Sequence, residues 1–487
     1  MRLRIPGRLA PAAGGIPGRK PMTKPIASPT RAMALAGFCS GYAATDLPAG
    51  FAEKAKAHIT DTLACGVAGA CSAEAQAVLR MQKALGEEGA VPVWGTPVSL
   101  SARSAAFCNG VASHAFELDD TMGCDHSGAV VLPAALAALS QASHPVTGAD
   151  FIAAVVLGYE VAKRVMEALG GYWPHNEAGW HSTATCGTFG AAIAASRILR
   201  LTQNETASAL GHAASFSGGL WAFIHDASQT KRIHAGRAAE GGLTAALLAQ
   251  AGVSGPQYVF EDVWGSFLKA FAPGAYDASR LLRGLGEEWE FTCAAIKPYA
   301  SCRGTHSTMD AIAALLREHA IQPADIVSVE ISLPAGLHEM CGGRDVSNLA
   351  SAQMSLPFAV ASFLERGELG ITAFSERNRA AAAVHERMKR VYLRVDTALA
   401  SLAEPIVTLH SCSGESFTLS VDPPLGSPEN PLTPDQLRSK AAGLLSMTLD
   451  HDNAERLLGR LAELEIWSDA RGLPGLLTAQ RPAPQFR

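Results

Sequence analysis

Three carboxylates, two hydroxyls and an imidazole lie within Asp119-Asp120-Thr121-Met122-Gly123-Cys124-Asp125-His126-Ser127. Groups of this kind can trade protons near neutral pH, because histidine titrates near ~6.5 and carboxylates can be tuned toward it. Three further segments carry a similar mixture beside glycines and other small residues. They are Gly179-Trp180-His181-Ser182-Thr183, Gln229-Thr230-Lys231-Arg232-Ile233-His234-Ala235-Gly236, and Lys297-Pro298-Tyr299 with Cys302-Arg303-Gly304-Thr305-His306. Four such islands in an Ala-rich, weakly charged chain point to one composite site.

Each island can do something specific. Adjacent carboxylates point in different directions, so one of Asp119 and Asp120 faces a ligand and the other orients backbone N–H groups. His181 precedes a hydroxyl-rich run, which suits either a carboxylate binder or an acid–base group. Lys231 supplies a point charge, and Arg232 a fork that fits a substrate carboxylate or an internal one. Lys297, Tyr299, Arg303 and His306 fall where the helical pattern gives way to another, and ligand clefts favour such junctions. No P-loop, dinucleotide-binding glycine pattern, His-Glu-x-x-His or Gly-x-Ser-x-Gly occurs. The expected chemistry is therefore proton transfer without a cofactor, with cations stabilising a carboxylate-substituted carbanion or enolate.

Mostly helical elements must hold these islands. Phe51, Ala55, Ile59, Leu63 and Val67 recur every four residues and form one apolar stripe. Thr147 opens a helix running to about Leu169, and Thr202-Gln203-Asn204-Glu205 is a capping box. Residues 183–200 and 235–251 are Ala/Gly/Leu-rich and read as closely packed interior helices. Beyond about residue 295, Val327, Val329 and Ile331 alternate with polar residues, as a half-buried strand does. Ser413-Gly414 reads as the turn of a hairpin. Thr433-Pro434-Asp435-Gln436 starts further helices that rejoin the first part, and the end from Gly472 reads as loose. The division expected is an extension at 1–31, a helical domain at 32–294, an α+β domain at 295–425, and C-terminal helices at 426–487 completing the helical domain. The fold class is thus mainly α.

Composition excludes several roles. The 487 residues exceed one ordinary core. A formal net charge of −5 argues against general nucleic-acid binding. No apolar run reaches the ~18 residues of a membrane span. The ten cysteines form no Cys-x-x-Cys pair and read as core thiols of a cytoplasmic protein, not as zinc ligands. Residues 1–31 hold seven Lys/Arg and no acid, with many Pro and Gly, and are expected to stay outside the fold, with Met22 as an alternative start.

In order along the chain, several motifs together resemble the MmgE/PrpD family, which includes 2-methylcitrate dehydratase, cis-aconitate decarboxylase and iminodisuccinate epimerase. They are Glu117-Leu118-Asp119-Asp120-Thr121, Ser127-Gly128-Ala129-Val130-Val131-Leu132-Pro133, Gly158-Tyr159-Glu160-Val161, His181 through Gly190, Lys231 through Gly236, and Lys297 through His306. The likeness spans about Ala44 to Leu464. It implies a helical domain built from both ends of the chain, an inserted α+β lid, a homodimer and no metal. It places a carboxylate-binding cleft between the two, lined by Asp119, Thr121, His126, His181, Lys231 and His306. The chain departs from the pattern at Met122-Gly123-Cys124-Asp125, where relatives often carry another His, and at Phe358, where many have Tyr.

The reading that follows is a lyase of the dehydratase type, without cofactor or metal, acting on a citrate-like hydroxy polycarboxylate. Lys231 and His126 bind carboxylates, supported by Thr121, Arg232 and Lys297. His181 and His306 are the general base and acid, and Asp119 orients a His or relays a proton. The alternatives are a cis-aconitate-type decarboxylase, an iminodisuccinate-type epimerase, or a non-catalytic carboxylate binder.

Overall fold

A computed structural model describes residues 29–486. The chain is mainly helical, with only small sheets. The expectation for 1–31 falls, for residues 1–28, outside the described residues. Its boundary is corrected, however: the Thr30 side chain caps helix Arg31–Gly41, and Arg31 pairs with Glu261.

The helical part is built around Phe51–Gly69, Ala102–Ser113, Gly128–Leu139, Gly148–Ala168, Gly187–Ile198, Gln203–Phe216 and Thr230–Gln250. The Thr202/Glu205 capping box forms as expected. Small residues let the helix axes meet. A Cβ on Gly110 would lie 2.8 Å from Gly236 Cα, and one on Gly236 would lie 2.5 Å from the Phe107 carbonyl oxygen. Backbone therefore touches backbone where Ala102–Ser113 crosses Thr230–Gln250. That crossing brings the first turn of the second helix, with Lys231 and Arg232, beside the segment that leaves Ser113.

The later part carries a four-stranded sheet in the order Val391–Val395, Ile326–Leu333, Ile406–Ser411, Ser416–Leu419. The first pair is parallel and the others are antiparallel. Val329, Ile331 and Leu333 are buried, as the alternation predicts, but Val327 is exposed and Ile326 buried in its place, because the register shifts between Ile326 and Ser328. Helix His306–Glu318 packs on the hairpin side of this sheet, and Leu356–Arg366 packs near its parallel edge.

Helix Pro434–Leu445 starts with the Thr433/Gln436 capping box and packs on Phe51–Gly69. The C-terminal end is not loose. Leu473 and Leu477 are fully buried, Gly95 N–H donates to the Leu477 carbonyl at 2.8 Å, and Phe486 N–H donates to the Cys71 carbonyl at 2.8 Å. Its hydrophobic side chains at 473, 477 and 486 had somewhere to go that local composition did not show. No single helix among the described residues is long and apolar enough to cross a membrane.

Candidate active site

The loop from His114 to Ser127 is the centre of the site, and its backbone is unusual. Glu117, Met122 and Asp125 take φ of 54°, 63° and 92°. Non-glycine residues in this region cost energy and persist where surrounding contacts hold them. Several contacts do so here. Asp120 accepts the Gly128 N–H at 2.9 Å, at the start of helix Gly128–Leu139, and its other oxygen faces His58 Nδ1 at 3.4 Å. Thr121 pairs with Ala295 through both backbone bonds, each 2.9 Å, which joins this loop to the segment leading to Lys297. Lys440, from helix Pro434–Leu445, donates to the carbonyls of Leu118 at 2.8 Å and Lys297 at 2.7 Å, and pairs with Asp61 at 2.5 Å.

Asp119 lies between two imidazoles. His114 Nδ1 is 3.0 Å from one carboxylate oxygen and His126 Nδ1 is 3.1 Å from the other. His126 Nδ1 also reaches the Asp120 carbonyl at 2.9 Å, while its Nε2 lies 3.5 Å from Asp125 and 3.6 Å from Glu117. Acceptors thus face both ring nitrogens, so His126 is held as an imidazolium. Burial opposes that charge, but Asp125 and Asp119 outweigh it and raise its pKa. His114 has Asp119 at Nδ1 and Glu117 only at 4.0 Å from Nε2, and burial pushes it down to about 3.

Glu117 gathers the basic residues. Lys231 donates to Oε1 at 2.6 Å, Lys297 approaches the same oxygen at 3.2 Å, and Arg232 lies 3.5 Å from Oε2. Burial alone would raise the Glu117 pKa, yet Lys231 and Lys297 hold it well below the carboxylate range. Arg232 also donates to the Gln353 side-chain oxygen at 2.8 Å, and the Gln353 amide donates to the carbonyls of Phe116 at 2.6 Å and Ala300 at 3.1 Å. Gln353 therefore ties the later part of the chain to the loop. Glu117 thus gathers Lys231, Lys297 and Arg232 at one place, cationic groups of the kind that bind an anionic ligand.

His181 stands on the far side of Asp125, with Nε2 3.5 Å from Oδ2 and Nδ1 3.1 Å from His234 Nδ1. Trp221 and Phe223 pack edge-on against its ring. Burial is the main reason its pKa is lowered. Thr183 donates to Asp125 at 3.4 Å.

The predicted residues thus fall into two groups. Asp119, His126, Lys231, Arg232, Lys297 and His181 converge on one buried cluster. Thr121 borders it through its backbone. His306 stands one step away: its Nε2 is 3.2 Å from the Ser301 carbonyl, and its ring packs at right angles to Tyr299. Burial and the charges of Lys297 and Arg303 hold His306 well below the usual histidine value. The departure at Met122–Asp125 acquires a meaning, because Asp125 bridges His126 and His181. Phe358 is buried against Phe374, with ring centroids 5.6 Å apart.

Sequence reasoning passed over Glu117, Asp125, His114, His234, Gln353 and Lys440 as site residues. One signal was available: Lys231, Arg232 and Lys297 in apolar surroundings require a buried counter-charge, and Glu117 sits in the densest motif. Ligand-type atoms of His114, Glu117 and His126 do lie within 4.8 Å of one another. The set does not suit a divalent cation, because Glu117 already faces three cationic groups and His126 directs both nitrogens at acceptors. Two grooves lie away from this cluster. One of about 270 Å³ runs beside Gln76, Trp94 and Pro482, and one of about 310 Å³ beside His144, Asp150 and Arg197.

The MmgE/PrpD N-terminal domain matches residues 33–278, and the MmgE/PrpD C-terminal domain matches residues 299–465. The chain is 29% identical over 472 residues to a cis-aconitate decarboxylase of Aspergillus terreus, covering 92% of this chain and 96% of that one. It is 28% identical over 459 residues to the cis-aconitate decarboxylase-like protein oryM of Aspergillus oryzae, covering 90% and 95%. The human cis-aconitate decarboxylase is 28% identical over 451 residues, covering 88% and 91%. Two matched domains spanning most of the chain, with the motifs at 117–121, 181–190 and 231–236 inside the first, make it a member of the MmgE/PrpD family.

Proposed function

We propose that the protein is a lyase that generates a carbanion beside a carboxylate, and that its reaction is decarboxylation of a cis-aconitate-like tricarboxylate. The observation that carries this is the buried pairing of a cationic group (Lys231, Lys297, Arg232 and charged His126) with the proton-transfer group His181. The relatives' names favour decarboxylation over the dehydration expected from the motifs alone.

The chemistry asks for what these residues hold. When a carboxylate leaves an allylic carbon as CO₂, the C–C electron pair forms a new double bond to the nearer alkene carbon and displaces the old π pair to the farther one. The displaced pair becomes an enolate-like charge on the remaining carboxylate-bearing carbon, which then takes one proton. Lys231, Lys297 and His126 lower the energy of that developing anion. His181 supplies the proton, and Asp119 holds the His126 ring. His306 keeps its neighbours Ser301 and Tyr299 in place at the start of the later part of the chain. Dehydration and epimerisation also pass through a carboxylate-stabilised carbanion, made by removing a proton: the first then expels hydroxide from the adjacent carbon, and the second takes a proton back on the opposite face. The same reading takes residues 295–425 as a lid on a helical body, the assembly as a cytoplasmic homodimer, and the substrate as the small-molecule partner.

Purified protein incubated separately with cis-aconitate, citrate, 2-methylcitrate and iminodisuccinate tests this. CO₂ release from cis-aconitate, abolished by Lys231→Met, is expected. Alkene formation from citrate or 2-methylcitrate without CO₂ would restore dehydration. Deuterium uptake into iminodisuccinate alone would mean epimerisation.

A further inference from the structure

Helix Tyr172–Glu177 joins the two sides of the buried cluster. Its later residues are fastened beside His181. His175 Nε2 lies 2.7 Å from the Thr185 hydroxyl, the Asn176 amide nitrogen is 3.4 Å from the Ser182 hydroxyl, and Trp221 Nε1 donates to the Asn176 side-chain oxygen at 2.6 Å. Its first turn meets the later part of the chain. The Trp173 ring abuts Gly336, where a Cβ would come 3.2 Å from the ring edge. Gly336 belongs to helix Ala335–Cys341, and the Cys302 thiol reaches Met340 of that helix at 3.7 Å. Cys302 N–H donates to the Gln353 carbonyl at 2.9 Å, and the Gln353 side chain accepts from Arg232. Tyr172 thus starts a helix that runs between the His181 side and the Arg232 side.

The Tyr172 hydroxyl makes no hydrogen bond to any of the described residues. Burial raises its pKa well above the usual tyrosine value, and Asp125, Cys302, Cys341 and Glu117 push the same way. These four stand on both sides of the cluster, so the phenol lies between them. The residue is nonetheless only half-buried. A group that lies deep in the molecule and keeps accessible surface lines an interior cleft. At neutral pH it offers one O–H and carries no charge. Lys231 and Lys297 already meet Glu117, and Arg232 meets Gln353, whereas this donor is unspent. A donor withdrawn from water without a partner costs free energy, and an anionic ligand oxygen would supply the partner.

We propose that Tyr172 is a substrate-binding residue whose hydroxyl donates a hydrogen bond to a carboxylate of the ligand held by Lys231 and Lys297. It deepens the functional reading above and rests on it for the class of ligand, not for the reaction performed. Tyr172 adds to the lysines a neutral, directional donor from the opposite wall of the cleft.

The test is titration calorimetry of the full chain with tricarballylate, a tricarboxylate that has neither the C=C needed for decarboxylation nor a hydroxyl to expel. Tyr172→Phe keeps the ring and removes only the donor. It should bind tricarballylate on the order of 10- to 100-fold more weakly than the native protein, as expected for one hydrogen bond to a charged group. Its melting temperature without ligand should equal the native one, because the hydroxyl holds nothing in the protein. With cis-aconitate, KM should rise and kcat change little, since the bond is made in ground state and transition state alike. Equal affinity of the two proteins for tricarballylate overturns the proposal. So does a native protein that does not bind it, or a Tyr172→Phe whose melting temperature falls without ligand, which would give the hydroxyl to the fold. Binding that depends on Tyr172, without CO₂ release from cis-aconitate, would uphold the proposal and count against the functional reading alone.

Discussion

The Lys231 ammonium and the Glu117 carboxylate meet at 2.6 Å with both side chains buried. The pair is the hub of the site, because Lys297 and Arg232 converge on the same carboxylate. Removing one member leaves the others as uncompensated buried charges, which is far costlier than never having had them. Glu117→Gln is therefore expected to destabilise the protein by about 3–5 kcal/mol. In a denaturant titration, Glu117→Gln combined with Lys231→Met should cost less than the sum of the two single changes.

Acid should loosen the fold early. His114 and His234 are pushed down to about 3 and His175 to about 4, chiefly by burial. The unfolded chain binds protons at these positions from about pH 6.5 downward and the folded chain does not. Their contribution is thus complete above that pH and is lost as pH falls toward the folded values. Between pH 7 and 5.5 each should cost about 1 kcal/mol, so the urea midpoint should drop over that interval. A midpoint that stays flat would contradict neutral buried rings.

His126 has the opposite sign. Its raised pKa gives stability that is present below about 6.5 and lost as pH climbs through the folded value. The same loss removes a cation from the site, so kcat/KM should fall on the alkaline side. His126→Gln should abolish that alkaline limb.

Lys440 joins two loops from a third part of the chain by donating to the Leu118 and Lys297 carbonyls. Lys440→Met would leave both carbonyls and Asp61 without that partner. A loss of about 3 kcal/mol or more is expected in calorimetry, from three unsatisfied buried groups at about 1–3 kcal/mol each.

Phe486 packs edge-on against Phe116, ring centroids 5.1 Å apart, next to Glu117. Phe486→Ala should lower stability by about 1 kcal/mol. Because the contact touches the residue before Glu117, KM for the substrate is expected to rise as well.

What the sequence discloses here is local. Apolar spacing at Phe51–Val67, the capping boxes at Thr202 and Thr433, and alternation at Val327–Ile331 all act within a few residues, so each element could be read. The clustering of Asp119, His126, His181 and Lys231 was legible because each sits in a dense polar island. Lys440 was not: it looks like any surface lysine on an amphipathic helix, and only packing of Pro434–Leu445 on Phe51–Gly69 turns it inward. Asp125 looked like a gap in a family pattern until its two histidine neighbours were placed. The tail from Gly472 was misjudged because Pro and Gly describe a chain without regular structure, which is a different matter from a chain without contacts.

The buried polar cluster draws on residues from His114 to Gln353, and Lys440 braces it. None of its essential pairs is between near neighbours in the chain except those inside the 114–126 loop. Distant contacts are entropically expensive to bring together and form late. On refolding, helix content should therefore return well before turnover does. The recovery of activity would then time the last docking event, in which the ends of the polypeptide close on its middle.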